Sequence, residues 1–218
     1  VWTDPPYGVS YGAKNEFLNA ISRGNRIQTP IKNDQEKPEE IRKLFTEALR
    51  LACDIGLPGA SVYASCPAGM TLGYFIQAIN DSGFNYMHGL VWIKNQFVLG
   101  RSDYHYRHEM VLYGWKKGAH YFISDSGLDS VFEIPKPRQS DKHPTTKPTE
   151  LVRRCVNNSS KPDEIVYDPF HGSGTTLMAC EQLHRKCRAM EIDPGYVAVS
   201  LQRFLDATGK MPKLVSNG

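Results

Sequence analysis

The stretch Ile165-Val166-Tyr167-Asp168-Pro169-Phe170-His171-Gly172-Ser173-Gly174-Thr175-Thr176 decides the fold. It sets an acid at the carboxyl end of a short apolar strand and two glycines where a helix begins, a turn that lets backbone approach a ligand closely. No lysine follows the second glycine and the third glycine of the dinucleotide fingerprint is absent, so the turn is neither a P-loop nor a pyrophosphate cradle. Glu191 falls 23 residues beyond Asp168, at the end of the next expected strand, where nucleoside-binding folds place a carboxylate for ribose hydroxyls. The turn suits a nucleoside without a pyrophosphate. Taken alone, such a turn is as often structural as ligand-binding.

Working outward, the pattern predicts helices over Thr175–Leu183 and Pro194–Thr208, with a strand over Lys186–Ile192 between them. Upstream, Glu150–Asn157 reads as a helix and Glu164–Asp168 as a strand. Ile41, Leu44, Phe45, Ala48, Leu49 and Ala52 recur at helical spacing, with Glu39 and Glu40 in the first turn and Gly56 beyond the end. Strands are expected over Ala60–Ser65, Tyr86–Lys94 and Glu109–Trp115, and a helix over Thr71–Asp81. Residues 12–39 and 116–146 read as loop, rich in polar residues, Gly and Pro. This alternation predicts an α/β fold with a mostly parallel sheet and helices on both faces.

A second turn, Thr3-Asp4-Pro5-Pro6-Tyr7-Gly8, again ends an apparent strand. Two prolines stiffen it. It can fix a carboxylate, a peptide carbonyl and an aromatic face together, as chemistry on an amino-bearing planar heterocycle requires. Asp4 and the Pro5 carbonyl could each accept one amino hydrogen while Tyr7 stacks on the ring. The plainer reading is a surface turn without chemistry.

With 218 residues, 40% hydrophobic and 22% charged, the chain suits one soluble domain. Its longest apolar runs are far short of the ~20 residues that cross a bilayer. No secretory signal is read at Val1, and a cytoplasmic address is expected. The chain opens in mid-strand without an initiator methionine, so an N-terminally cropped domain is expected. The five cysteines lack zinc spacing and read as reduced packing residues. His105 and His108 invite a metal reading, but further ligands are too few, and no metal is expected. His171 reads as a loop residue rather than a general base.

Net charge is only +3, yet residues 94–121 carry +3 and residues 135–154 carry +4, leaving −4 for the rest. A basic strip on a neutral body suits a polyanion, although a lysine-rich solvated face looks the same. Arg101, Arg107, Lys116 and Lys117 are the candidate phosphate contacts, interleaved with Tyr104, Tyr106, Tyr113, Trp115 and Tyr121. Tyr113 and Trp115 fit a core position better.

Together the two turns resemble those of the amino-group DNA methyltransferases, in the circularly permuted order with Asp-Pro-Pro-Tyr first and Asp-Pro-Phe-x-Gly-Ser-Gly late. His143-Pro144-Thr145-Thr146-Lys147-Pro148 resembles a further cofactor motif of that family, and Trp92-Ile93-Lys94 through Tyr106, Glu109 and Tyr113-Gly114 resembles its region after the catalytic turn. The resemblance implies a Rossmann-like S-adenosylmethionine-dependent fold with a catalytic half (1–115), a short target-recognition region (116–142) and a cofactor half (143–218). It implies catalysis by Asp4, Pro5, Pro6 and Tyr7. It gives cofactor contacts to His143, Lys147, Asp168, Phe170, Gly172, Ser173, Gly174, Thr175 and Glu191. Aspartate ahead of Pro-Pro-Tyr points to adenine in double-stranded DNA, with the polar loop after Tyr7 as a cover for the flipped base. Cytosine amino methylation and an inactive DNA-binding remnant are the alternatives, and a methylase of RNA or protein glutamine fits the motif order poorly. Oligomeric state is left open.

Overall fold

The computed structural model describes residues 1–8, 37–97, 103–123, 125, 127–136 and 147–216. Along the chain run β1 (Trp2–Thr3), α1 (Pro38–Ile55), β2 (Ser61–Cys66), α2 (Leu72–Asp81), β3 (Phe84–Ile93), β4 (His108–Lys116) and β5 (Val131–Glu133). They are followed by α3 (Thr149–Ser159), β6 (Ile165–Asp168), α4 (Thr175–Leu183), β7 (Lys186–Ala189) and α5 (Pro194–Thr208). Five strands form a sheet in the order β1-β2-β4-β3-β5, and β6 pairs with β7. Strand β6 packs beside β1, which brings the two expected ligand turns to neighbouring strands.

Strand alternation explains the layers. In β2 every residue is buried. Val62, Ala64 and Cys66 face Ile41, Phe45 and Leu49 of α1 and Phe75 and Ile79 of α2. Tyr63 points the other way, into a cluster with Trp2, Val111, Tyr113, Leu151, Val152 and Cys155 of α3, and Ala179 and Cys180 of α4. Period-two side chains on the strands and a four-residue repeat on α1 thus cover both faces of one sheet. Each large apolar side chain so buried contributes about 1.5–3 kcal/mol.

The helices fall within about two residues of their expected bounds. Pro38, read as part of the loop, opens α1, where a missing N–H costs nothing. The sheet is mixed rather than mostly parallel. Pairs β1/β2, β3/β5 and β6/β7 are parallel, whereas β4 runs antiparallel to both β2 and β3. The sequence carries no amphipathic helical pattern between β3 and β4, which is the mark of a direct antiparallel return. Gly114 fits that pairing closely, since an added Cβ would meet the Asn85 carbonyl oxygen at 2.0 Å.

Strand β5 lies in the expected loop region. Three residues are too few to show alternation, but Phe132 is buried and the Trp92 indole N–H donates to the Ile134 carbonyl at 2.7 Å. Strand β7 ends at Ala189, so Glu191 stands beyond it in the following turn. The pair His105 and His108 shares no helix, because His108 opens β4. Among the described residues no group of three metal-binding side chains gathers. No described helix is long and apolar enough to cross a membrane. All five cysteines are free thiols.

Candidate active site

The Asp4 turn leaves β1 at the edge where β2 and β3 also end and β4 begins. This is the carboxyl edge, where ligands sit in α/β sheets. Tyr7 folds back and donates its hydroxyl to Asp4 Oδ1 at 2.9 Å. The same hydroxyl lies 2.9 Å from Ser65 Oγ on β2 and 3.2 Å from Glu109 Oε2 on β4. Lys147, two residues before α3, brings its ammonium to 2.8 Å from each Asp4 oxygen, 3.2 Å from the Tyr7 oxygen and 3.2 Å from Glu109 Oε2. Lys94, just past β3, holds the other Glu109 oxygen at 2.8 Å. Two carboxylates and two ammoniums from four parts of the chain, with Ser65 from a fifth, gather around one tyrosine.

Their ionisation follows from burial and pairing. Burial would raise the Glu109 carboxyl, but Lys147 and Lys94 outweigh it and hold it down at about 2. Burial opposes the Lys147 charge, yet Asp4 and Glu109 hold it protonated above its ordinary range. Asp4 is raised, by burial first, with Glu109 adding and Lys147 and Tyr7 opposing. The Tyr7 phenol is pushed up by burial and by both carboxylates. Asp4 keeps 28% of its side-chain surface open, against 19% for Glu109. It is the more exposed of the two carboxylates.

The glycine turn is held differently. Asp168 is buried and accepts from Thr176 Oγ1 at 2.5 Å and from the Phe170 N–H at 3.1 Å. Burial raises its carboxyl to about 7, against those two donors and with Asp4 adding. Gly172 and Gly174 take positive φ, +54° and +88°. A Cβ on Gly174 would lie 2.3 Å from Ser200 Oγ, while one on Gly172 would project into open space. Glu191 accepts from the Gly172 N–H at 2.7 Å and the Asp193 N–H at 2.9 Å. Arg203 of α5 donates to the Ser173 carbonyl, and His171 pairs with Ser200 at 2.7 Å. His171 is thus a brace between turn and helix. Thr175, buried, begins α4.

The two turns share a side of the molecule. Tyr7 packs edge-on to Phe75, Phe75 on Phe45, and Phe45 on Phe170, with ring centroids 6.1, 5.4 and 6.5 Å apart. Beside Tyr7 a shallow concavity opens between α1 and α2, walled by Ile41, Arg42, Thr71 and Tyr74.

Among the expected phosphate contacts, Lys116 is engaged within the fold. Its ammonium donates to the Cys53 and Gly56 carbonyls at 2.8 and 2.9 Å, capping the end of α1. Lys116 and Lys117 lie at the far end of β4 from Glu109, roughly 20–25 Å away at strand rise. Arg107 is exposed next to β4's first residue, at the site edge, with exposed Tyr104 and Tyr106. Tyr113 is buried and Trp115 half-buried, as a core role requires. Arg101, His143 and the polar loop over 12–39 up to residue 36 lie outside the described residues. Ser65, Lys94 and Glu109 had no assigned role in the sequence. Lys94 and Glu109 stand in the stretch that resembles the family's region after the catalytic turn, each a charge at the end of an apolar strand, whereas Ser65 carries no signal.

A family profile described as DNA methylase (N6_N4_Mtase) matches residues 1–202. The chain belongs to this family. The methylase is 26% identical over 227 residues to the type II methyltransferase M2.DpnII of Streptococcus pneumoniae, covering 94% of this chain and 81% of that one. Its fold matches the M1.HpyAVI complex with S-adenosylmethionine (TM-score 0.66, 21% identity, 93% and 86% of the two chains). It also matches the cytosine-N4-specific PvuII DNA methyltransferase (TM-score 0.68, 18% identity, 94% and 79%). The fold is the Rossmann-like one of these methyltransferases, entered at the Asp4 strand, with the glycine turn late in the chain.

Proposed function

We propose that the methylase transfers the methyl group of S-adenosylmethionine to the exocyclic amino group of adenine in double-stranded DNA. The observation that carries this reading is Asp4, an accessible carboxylate locked beside Tyr7, one strand away from the glycine turn. The glycine turn fits the donor: open space stands above Gly172, and Glu191 offers unused lone pairs for ribose hydroxyls. Phe170, Ser173, Gly174 and Thr175 shape that cradle and Asp168 braces it, while His143 and Lys147, from the segment before α3, are the remaining proposed cofactor contacts. The donor supplies an electrophilic methyl on a sulfonium.

Adenine's amino lone pair is delocalised into its ring. Asp4 and the Pro5 carbonyl take the two amino hydrogens, drawing nitrogen toward tetrahedral geometry and aiming its lone pair at the methyl. Pro6 keeps the turn stiff. A nitrogen–carbon bond forms as the carbon–sulfur bond breaks, the thioether keeps that electron pair, and the surplus proton leaves to Asp4 or water. Positioning and fixed charges carry the acceleration. A base inside the duplex is out of reach, so it rotates out of the stack at a cost of a few kcal/mol and stacks on Tyr7. Arg107, exposed at the site edge, holds phosphate, and Arg101 is proposed to do the same. Such an enzyme works in the cytoplasm, where bacterial DNA lies.

Labelled S-adenosylmethionine and duplex DNA, followed by digestion to nucleosides, test the reading. Label in N6-methyldeoxyadenosine is expected. Label in N4-methyldeoxycytidine moves the target base, and DNA binding without any label overturns the reading in favour of an inactive binding protein.

A further inference from the structure

The charge cluster holds more acceptors than the protons that serve them. Lys147 has three N–H groups for four acceptors within 3.2 Å: both Asp4 oxygens, Glu109 Oε2 and the Tyr7 oxygen. Tyr7 has one O–H for three neighbours, Asp4, Ser65 and Glu109. In this arrangement the Lys147 ammonium lies against both Asp4 oxygens and Tyr7 against one of them, so an incoming amino group meets a competing cation at either oxygen. Glu109 offers the alternative. Lys94 fixes its other oxygen at 2.8 Å, so Glu109 is a stationary anion, while Lys147 sits at 3.2 Å from it, longer than a charge-assisted bond prefers. A shift of Lys147 by about 0.4 Å would complete that bond and loosen the one to Asp4.

We propose that Glu109 is a positioning residue that draws Lys147 away from Asp4 when the target amino group enters, freeing an Asp4 oxygen to accept its hydrogen. This rests on the methyl-transfer reading above. Charges then alternate from Lys94 through Glu109 and Lys147 to Asp4, ending where the cationic methyl donor is expected. Lys94 acts one step further back, as the anchor of Glu109.

Glu109→Gln keeps the shape and removes the charge. Lys147 then pairs with Asp4 alone. Asp4 is faced by Lys147, Tyr7 and Glu109, with Asp168 and Cys66 behind. Losing the Glu109 anion leaves the opposing cation unchallenged and lowers the Asp4 carboxyl. The expected result is a kcat lower by about tenfold or more, with KM for duplex and cofactor affinity within about twofold, and the acidic limb of kcat moved to lower pH. In a Lys147→Met background the substitution should add little, because Glu109 acts through Lys147. Since Gln leaves Lys94 buried without its anion, Lys94→Met/Glu109→Gln is the second variant and should show the same kcat loss and limb shift.

A carbon-13 NMR titration of the Asp4 carboxyl, assigned with Asp4→Asn, reads the coupling without turnover. Its midpoint should fall in both Glu109 variants. An unchanged Asp4 midpoint, an unmoved acidic limb, or full additivity with Lys147→Met overturns the proposal. If the unaltered chain transfers no methyl to DNA while the Asp4 midpoint still moves, the functional reading falls and the coupling of Glu109 to Asp4 stands.

Discussion

Two carboxylates at the ends of adjacent strands, Asp4 after β1 and Asp168 of β6, are satisfied in opposite ways. Asp168 is held by its own neighbourhood, Thr176 and the Phe170 N–H, both within eight residues. Asp4 is held by Tyr7 nearby and by Lys147, 143 residues away, which answers in turn to Glu109 and Lys94. A short-range brace makes a rigid cradle. A long-range web of ammoniums and carboxylates can redistribute its bonds as charge and substrate arrive. On the proposed function, the cofactor turn is the stiff one and the catalytic turn the adjustable one.

Removing the adjustable side should cost most. Asp4→Ala is expected to lower methyl transfer by about 10³-fold, with cofactor affinity changed by no more than a few fold. Single-turnover rates and cofactor titration check this, and an active variant would take Asp4 out of the chemistry. On the rigid side, Gly174→Ala meets both a left-handed φ and Ser200 Oγ at 2.3 Å. It should cost about 2–4 kcal/mol in urea unfolding and weaken cofactor binding. Ser200→Gly should relieve the clash but not the φ strain.

Asp168→Asn separates the two turns by pH. Burial raises the folded carboxyl to about 7, so the native chain keeps a proton the unfolded chain has released, and stability falls as pH rises from about 4 to about 7. Asparagine removes that slope. The thermal midpoint of the variant relative to the parent should be more favourable at pH 8 than at pH 5, and a pH-independent difference would refute the assignment. Glu109 runs the other way. Its carboxyl lies at about 2, so its pairing stabilises the fold above the ordinary carboxylate range and is lost as pH falls toward 2.

The smallest effect is expected outside both turns. Lys116→Met removes two charge-assisted bonds at the end of α1 and should cost about 1–2 kcal/mol in stability while leaving duplex affinity unchanged. Arg107→Ala should weaken duplex binding with a shallower salt dependence and leave stability unchanged.

Self-contained features were legible in the sequence and cross-chain ones were not. The glycine turn, its acid and the helices α1, α3, α4 and α5 follow from local spacing and caps. Asp4, Tyr7 and Lys147 could be named because each sits in a dense motif. Ser65, Lys94 and Glu109 are ordinary polar residues on apolar strands, and only the register of β2, β3 and β4 brings them to Tyr7. Lys116 shows the converse. Its charge suggested phosphate, but the strand sends it to the opposite end of the sheet, where the carbonyls of α1 capture it.

The central claim is that the Asp4 turn and the glycine turn form one reaction site. A crystal structure with a cofactor analogue bearing an amine in place of the transferable methyl tests it most directly. The account predicts the analogue's ribose at Glu191, its adenosyl group over Gly172 and its amine within about 3 Å of an Asp4 oxygen, at charge-assisted hydrogen-bond distance. An analogue seated in the glycine turn with its amine pointing away from Asp4, or bound elsewhere, would contradict it.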